Sequence, residues 1–165
     1  MSTKRPPVIA VWGTSNTGKT TFLQKLIAEM KNRGFRVGTI KHTHHEVEID
    51  QPGKDTWLHA RAGAEAVVLA SPGKLTLLKS VSGDPALEQA VELHKDMDLI
   101  LVEGYKKAKI PKIAILRRGI AEKPISWTED LIAVVSDFNF AAAVPVYGPD
   151  NAGGVADLIE EKYLK

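Results

Sequence analysis

The sequence predicts an α/β fold in which a mostly parallel β-sheet is flanked by helices and an antiparallel hairpin is added. Residues 8–12 form a short apolar run, the pattern of a strand that is buried on both faces. Residues 19–33 follow with apolar side chains at helical spacing, and Gly34 ends that helix. A second strand-like run over 36–41 completes a strand–loop–helix–strand unit, which is typical of parallel sheets.

The later elements are justified in the same way, in chain order. Residues 44–49 alternate weakly and are compatible with a short edge strand, and Asp55 is the expected N-cap of a short helix over 56–62. Two apolar runs are separated by Ser71-Pro72-Gly73, which predicts the antiparallel hairpin. The remaining expected elements are the hairpin strands 66–70 and 74–78, a helix over 84–95, strands over 98–102, 112–116, 131–135 and 144–147, and a closing helix over 151–164.

Composition predicts one globular domain over residues 1–165, with residues 1–7 flexible. The chain is 44% hydrophobic and 25% charged, which is ordinary for such a domain. It has no cysteine, which excludes disulfides and thiolate metal sites and agrees with a cytoplasmic location. A net charge of +2 gives no reason to expect a nucleic-acid partner, and the apolar runs are too short for a membrane span.

The stretch GTSNTGKT, from Gly13 to Thr20, fits the phosphate-binding pattern G-x-x-x-x-G-K-[ST]. Glycines allow the chain to curl so that successive backbone N–H groups point at a phosphate. Lys19 is expected to reach the β- and γ-phosphates, and the Thr20 hydroxyl to bind Mg²⁺. The predicted phosphate-loop residues are Gly13, Thr14, Ser15, Asn16, Thr17, Gly18, Lys19, Thr20 and Thr21.

Acidic residues should complete such a site. Glu103 stands at the carboxyl end of the buried run 98–102, which is the end where open α/β sheets bind ligands. It is expected to contact Mg²⁺ directly or to position a water molecule. Asp98 opens the same run and is expected to be a structural cap. Asp50 and Asp55 are candidates for a second carboxylate near the metal, with a role as turn or cap residues equally open.

Two further groups of polar residues follow predicted strands. Lys41, His42, His44 and His45 suggest a polar loop that faces an anion; a transition-metal site at His42 and His44, on one face of a strand, is the alternative. Asp137 follows the run 131–135, where its carboxylate is suited to accept hydrogen bonds from guanine N1 and N2. The alternative role for Asp137 is an N-cap, and the common guanine motif Asn-Lys-x-Asp is absent from the sequence.

In combination these motifs resemble the MobB family of molybdopterin-guanine dinucleotide biosynthesis adapter proteins, which are phosphate-loop GTPases. The resemblance rests on GTSNTGKTT, KHTHH with the downstream DQPGKDTW, the segment 61–64 and DLILVEGYK. It implies GTP binding with weak hydrolysis, Mg²⁺ as cofactor, and a homodimer whose sheets join. It also implies partnership with a MobA-type guanylyltransferase, which attaches GMP to molybdopterin, and contact with molybdopterin-carrying proteins.

Position by position, the resemblance implies that residues 13–21 hold phosphates and Mg²⁺ and that Glu103-Gly104 forms a second motif beside them. It also implies that Lys41, His42, His44, His45 and Asp50 line the cleft. The leading hypothesis is a slow GTPase adapter in which Glu103 or Asp50 places the attacking water. The alternatives are a small-molecule kinase and a protein that binds a nucleotide or pterin phosphate without hydrolysing it.

Overall fold

The computed structural model of the chain describes residues 5–123, 129–139 and 141–165. The chain divides into two compact units, one formed by residues 1–42 with 87–165 and the other by residues 43–86. The expectation of one domain stays a prediction, because such a division does not measure independent folding. Of the segment predicted to be flexible, residues 1–4 lie outside the described ranges.

The elements of secondary structure alternate along the chain in the manner the sequence predicts. The strands are β1 (Val8–Trp12), β2 (Val37–Lys41), β3 (Ala66–Ser71), β4 (Lys74–Lys79), β5 (Leu99–Glu103), β6 (Lys112–Leu116), β7 (Leu131–Ser136) and β8 (Val146–Tyr147). The helices are α1 (Lys19–Asn32), α2 (Asp55–Arg61), α3 (Leu87–Glu92) and α4 (Ala152–Ile159), and a π-helical turn over Glu160–Leu164 extends α4.

The first unit contains a six-stranded sheet with the order β2-β5-β1-β6-β7-β8, and every pairing in it is parallel. The register pairs Glu103 with Val11 on one side and with Lys41 on the other. Because parallel strands end at the same edge of a sheet, the loop after β1 and the ends of β2 and β5 meet there. This topology brings the predicted phosphate loop, Lys41 and Glu103 together.

Both faces of the four central strands, β5, β1, β6 and β7, are buried, which explains why these strands read as continuous apolar runs. On one face, Ile9 and Leu101 pack against α1 and α4, whose Leu26 and Ile159 are fully buried. Each such side chain stabilises the fold by roughly 1.5–3 kcal/mol relative to exposure. On the other face, Leu87 and Val91 of α3 pack with Ile40, Ile100 and Val102. The two elements that flank the predicted phosphate loop, β1 and α1, are therefore both packed into the core.

The second unit contains α2 and a separate two-stranded antiparallel sheet of β3 and β4. The register runs from Ala66 opposite Lys79 to Ser71 opposite Lys74, with Gly73 at a φ of 74° in the turn between them. The hairpin prediction is confirmed. The hairpin forms a sheet of its own and does not pair with the parallel strands.

Several boundaries differ from the sequence-based expectations. Residues 44–49 form no strand and are exposed to solvent, so their weak alternation does not mark a buried face. The helix expected over 84–95 is confined to Leu87–Glu92, where Leu87 and Val91 supply its only buried side chains. Asp55 is the first residue of α2, and Lys54 occupies the N-cap. No helix in the described ranges is both long and apolar enough to cross a membrane.

Candidate nucleotide-binding site

The loop between β1 and α1 has the backbone that its glycines predict. Gly13 has a φ of 155°, and a Cβ there would lie 2.7 Å from the carbonyl oxygen of Ile115. Gly18 has a φ of 92° and precedes the first residue of α1. Asn16 also has a positive φ, 63°, which asparagine tolerates better than most residues. Gly13 and Gly18, the two glycines of the motif, therefore have backbone conformations that favour glycine.

The carbonyl of Thr14 closes this loop on itself. The Lys19 ammonium donates to that oxygen at 2.6 Å, and the hydroxyl of buried Thr17 donates to it at 3.0 Å. The Thr14 hydroxyl is itself buried and has no hydrogen-bond partner within the described residues. Ser15 and Asn16 are exposed at the rim. The loop thus ends at the N-terminus of α1, where unpaired backbone N–H groups and the helix dipole favour phosphate binding.

Lys19 lies in a field of like charges. Partial burial lowers the pKa of its ammonium, nearby Lys41 and Lys106 lower it further, and Glu103 opposes them. Two other lysines and one carboxylate thus act on the Lys19 ammonium. The surplus of positive charge makes the site electrostatically suited to a polyanion such as a nucleotide phosphate chain.

Glu103 joins the phosphate loop to the neighbouring strand. Only 8% of this residue is exposed. Its Oε2 atom accepts a hydrogen bond of 3.3 Å from the Thr20 hydroxyl, and its Oε1 atom forms an ion pair with the Lys41 ammonium. Two oxygen ligands at about 2.1 Å in neighbouring octahedral positions are about 3 Å apart. The Thr20 and Glu103 oxygens therefore fit Mg²⁺ in both chemistry and spacing.

His42 supports the end of β5. Its backbone N–H donates to the Glu103 carbonyl at 2.8 Å, and its ring stacks on Tyr105 with the centroids 4.0 Å apart. The expectation that His42 and His44 share a strand face is wrong, because β2 ends at Lys41. His44 and His45 belong to the second unit, where the His44 Nδ1 atom lies 3.7 Å from the carboxylate of Asp84. The anion-facing role suggested for these histidines stays a prediction.

Asp137 lies at the edge of a cavity of about 260 Å³ beside the phosphate loop. Its carboxylate accepts a hydrogen bond of 2.8 Å from the backbone N–H of Arg118, which ties the end of β7 to the loop after β6. No helix begins at Asp137, so the N-cap alternative is wrong. The cavity is lined by Thr17, Gly18, Thr21, Phe22, Lys25, Ile115, Leu116, Arg117, Val135, Asp137, Pro149 and Asp150.

The sequence reading missed one pair of residues in this cavity. Lys25 on α1 and Asp150, after β8, form an ion pair of 2.6 Å across one wall. Lys25 follows the phosphate motif by about one and a half helical turns, and this spacing could have placed it near the loop. No sequence pattern indicated Asp150, because its position depends on β8 being the last strand of the sheet.

Asp50 and Asp55 lie in the second unit. One oxygen of Asp50 accepts hydrogen bonds from the Gln51 N–H at 2.8 Å and from the Thr56 hydroxyl at 3.0 Å. Its other oxygen is buried and unpartnered within the described part of the chain. Asp55 lies in the first turn of α2. The first oxygen of Asp50 thus stabilises the local turn. That Asp50 or Asp55 binds a metal ion or orients a water molecule stays a prediction.

A family model described as "MobB: Molybdopterin guanine dinucleotide synthesis protein B" matches residues 8–137, the part of the chain that holds the phosphate loop, Glu103 and Asp137. The chain belongs to the MobB family. This confirms the resemblance drawn from the motifs. The match runs continuously through both units.

Named relatives agree with this assignment. The molybdopterin-guanine dinucleotide biosynthesis adapter protein of Escherichia coli K12 is 38% identical over 161 residues, covering 94% of this chain and 92% of that protein. The adapter protein of the same description from Haemophilus influenzae is 33% identical over 156 residues, with 93% and 88% covered. The crystal structure of Bacillus subtilis MobB superposes with a TM-score of 0.71 at 28% identity, covering 95% and 98% of the chains. The predicted fold class is confirmed.

Proposed function

We propose that this chain is a cytoplasmic, GTP-binding adapter with weak, Mg²⁺-dependent GTPase activity in the synthesis of molybdopterin guanine dinucleotide. Membership of the MobB family, whose relatives are named as adapters in that synthesis, supports the adapter role. The nucleotide part rests on one observation, the joining of the phosphate loop to Glu103 through Thr20. An adapter needs a catalytic partner, and the proposed one is a MobA-type guanylyltransferase. Contact with molybdopterin-carrying proteins is part of the same proposal.

Different residues around the loop are proposed to bind the phosphates and Mg²⁺. The backbone N–H groups of the loop and the N-terminus of α1 face the phosphates, and Lys19 turns from the Thr14 carbonyl to the β- and γ-phosphates. Thr20 and Glu103 would hold Mg²⁺, which when bound neutralises charge on the phosphate oxygens. Lys41, paired with Glu103 at the same edge, adds a further cation near the phosphates.

Hydrolysis would follow in-line attack of a water molecule on the γ-phosphorus. The bond from that phosphorus to the β–γ bridging oxygen breaks, giving GDP and inorganic phosphate with release of a proton. Glu103 would orient the water. Among the described residues, Lys19 is the cation that bonds to the phosphate loop, and no arginine makes a hydrogen bond there. An arginine finger is worth about 10³–10⁵ in rate, so slow turnover is expected.

The nucleotide base is proposed to occupy the cavity beside Asp137. That cavity opens directly from Gly18 and Thr21 of the phosphate loop and is large enough for a purine. Asp137 uses one carboxylate oxygen on the Arg118 N–H. Its second oxygen would accept from guanine N1 and N2, donors that adenine does not offer in that pattern, and this favours GTP over ATP.

Glu103→Gln is expected to lower the rate of GTP hydrolysis by roughly 10- to 100-fold. Glutamine keeps an oxygen that accepts from the Thr20 hydroxyl, but it removes the negative charge that would hold Mg²⁺. Phosphate release in single-turnover reactions, measured over a range of Mg²⁺ concentrations, checks this. Asp98→Asn, in the residue just before the start of the same strand, is the matched control and should leave the rate unchanged. A Glu103→Gln rate equal to that of the unaltered chain would contradict the role given to Glu103.

A competition titration of GTP against ATP, with Mg²⁺ present and absent, tests the proposed function as a whole. GTP should compete better, and Mg²⁺ should strengthen its binding. Free phosphate as the product supports the GTPase. A phosphorylated metabolite in place of free phosphate would indicate a small-molecule kinase, and tight binding with no product would indicate a holder; either result overturns the hydrolysis proposed here.

The homodimer implied by the resemblance is proposed to form through the β3–β4 hairpin. This two-stranded sheet exposes apolar side chains, and isolated hairpins are marginally stable in water. Unpaired strand edges favour pairing with another chain. The exposed apolar side chains of the hairpin are Val68, Leu69, Leu75 and Leu77.

Leu75→Asp is expected to weaken dimerisation without unfolding the chain. Leu75 is 73% exposed, so its replacement should change the free energy of unfolding by no more than about 0.5 kcal/mol within one protomer. A charge buried at an interface is costly, so the dimer should dissociate at concentrations where the unaltered chain is dimeric. Sedimentation velocity measures this, with Leu93→Asp, an exposed leucine of the first unit, as the control. A Leu75→Asp protein that stays dimeric would place the interface elsewhere.

A further inference from the structure

An ion pair lies in the wall of the cavity beside the phosphate loop. The Lys25 ammonium, on α1, donates to the Asp150 carboxylate at 2.6 Å and to the Pro149 carbonyl oxygen at 3.3 Å. These three residues line the same cavity of about 260 Å³, whose lining also includes Gly18 of the phosphate loop and Asp137. The cavity proposed for the base therefore has a cationic donor as well as a carboxylate acceptor.

Lys25 has hydrogen-bonding capacity left for a ligand. An ammonium has three N–H donors, and the described residues supply two acceptors to this one, the Asp150 carboxylate and the Pro149 carbonyl. The side chains of Lys25 and Asp150 are 41% and 91% exposed, so water screens the pair and it contributes little to stability. A ligand that takes the third donor therefore does not have to break the ion pair.

Guanine and adenine differ at the atoms that a lysine donor would meet. Guanine carries the acceptor O6 beside its N1–H and N2–H donors, whereas adenine carries the N6 amino donor in place of O6. The contact proposed for Asp137 takes up guanine N1 and N2 and leaves O6 without a partner. Lysine is among the side chains that donate to guanine O6 in other proteins. Its presence in the same cavity as Asp137 therefore supplies the donor that the base still needs.

We propose that Lys25 is a specificity-determining residue that donates a hydrogen bond to O6 of the guanine base of GTP. The inference rests on the proposed GTP binding and deepens it. With adenine in the cavity, the ammonium would meet the N6 amino group, so two donors would face each other and neither would be paired. Lys25 thus favours GTP and disfavours ATP through one atom of the base, and specific sites commonly combine such an attractive and a repulsive contact.

Equilibrium binding of base-modified triphosphates to the full chain, in the presence of Mg²⁺, tests this contact. The triphosphate of 2-aminopurine riboside keeps the 2-amino group of GTP but lacks O6. Lys25→Met removes the donor, and it should lower the ratio of the GTP affinity to the 2-aminopurine nucleotide affinity by roughly 10-fold. The ratio cancels any general effect of the lost charge on the phosphates. Lys31→Met, in the last turn of the same helix, is the matched control and should change the ratio by less than about 2-fold.

Asp150→Asn separates the contact with the base from a structural role of the ion pair, since it removes the pair and keeps the Lys25 ammonium. The affinity ratio should fall less in this variant than in Lys25→Met. An unchanged ratio in Lys25→Met, or an equal fall in both variants, would overturn the proposal, because the pair would then only shape the cavity. If the unaltered chain binds neither nucleotide, the proposed function itself fails and this inference fails with it. If it binds both equally well, nucleotide binding stands and the contact with O6 fails.

Discussion

Lys19→Ala is expected to weaken GTP binding by roughly 100- to 1,000-fold, the equivalent of about 3–4 kcal/mol. The Lys19 ammonium is the positive charge that the loop holds in place, through a hydrogen bond of 2.6 Å to the Thr14 carbonyl. Its loss leaves the phosphates with weaker donors and lowers the positive field on the β- and γ-phosphates. Titration with a fluorescent GTP analogue in the presence of Mg²⁺ measures the loss.

The same substitution should change stability little. Lys19 is half-exposed at the first position of α1, and alanine is the best helix former. Lys31→Ala, in the last turn of the same helix, is the matched control, since it removes one exposed lysine far from the loop. Normal GTP binding by Lys19→Ala would refute the assignment of residues 13–20 as the phosphate site, because a GTPase, a kinase and a holder would all need this lysine.

Gly104→Ala is expected to lower the free energy of unfolding by about 2–4 kcal/mol. Two costs add at this position. A φ of 112° is unfavourable for alanine, and the new Cβ would lie 2.7 Å from the His42 Cβ and 2.8 Å from the His42 carbonyl oxygen. The contacts are with the first atoms of a side chain and with backbone, which cannot turn away. Urea unfolding should show a lower midpoint with an unchanged slope.

Gly119→Ala separates the two costs. Gly119 has a φ of 74°, but a Cβ there would have no neighbour within 4 Å. Only the conformational cost then applies, about 1 kcal/mol. If Gly104→Ala and Gly119→Ala destabilise the chain equally, close packing between the ends of β2 and β5 does not constrain the chain at Gly104.

The local parts of this structure were accessible from the sequence. The phosphate loop follows a fixed spacing of glycines and lysine between a strand and a helix, and each of those patterns spans fewer than 20 residues. Glu103 was found because it stands at the carboxyl end of a buried apolar run, which is the end where open α/β sheets bind ligands. The order β2-β5-β1 was not readable, because it is set by contacts among distant segments. The ion pair of Lys41 with Glu103 follows from that order and was missed.

Two other misses have the same origin. The stack of His42 on Tyr105 joins residues 63 positions apart and depends on β2 ending at Lys41, one residue before the histidines begin. Weak alternation over 44–49 suggested a strand, but alternation marks a strand only where one face is buried. The hairpin was predicted because its turn is local, whereas its membership of a separate sheet is a tertiary property.

The ion pair at the end of β5 also bears on how the chain folds. A carboxylate as buried as Glu103 costs several kcal/mol when its charge is left uncompensated. Lys41 provides an internal counter-ion, delivered by the adjacent strand in register with it. The sheet edge can therefore assemble before any nucleotide or cation arrives. The Mg²⁺ proposed to bind at Glu103 would have to displace the Lys41 ammonium, so its binding would exchange one positive charge for another.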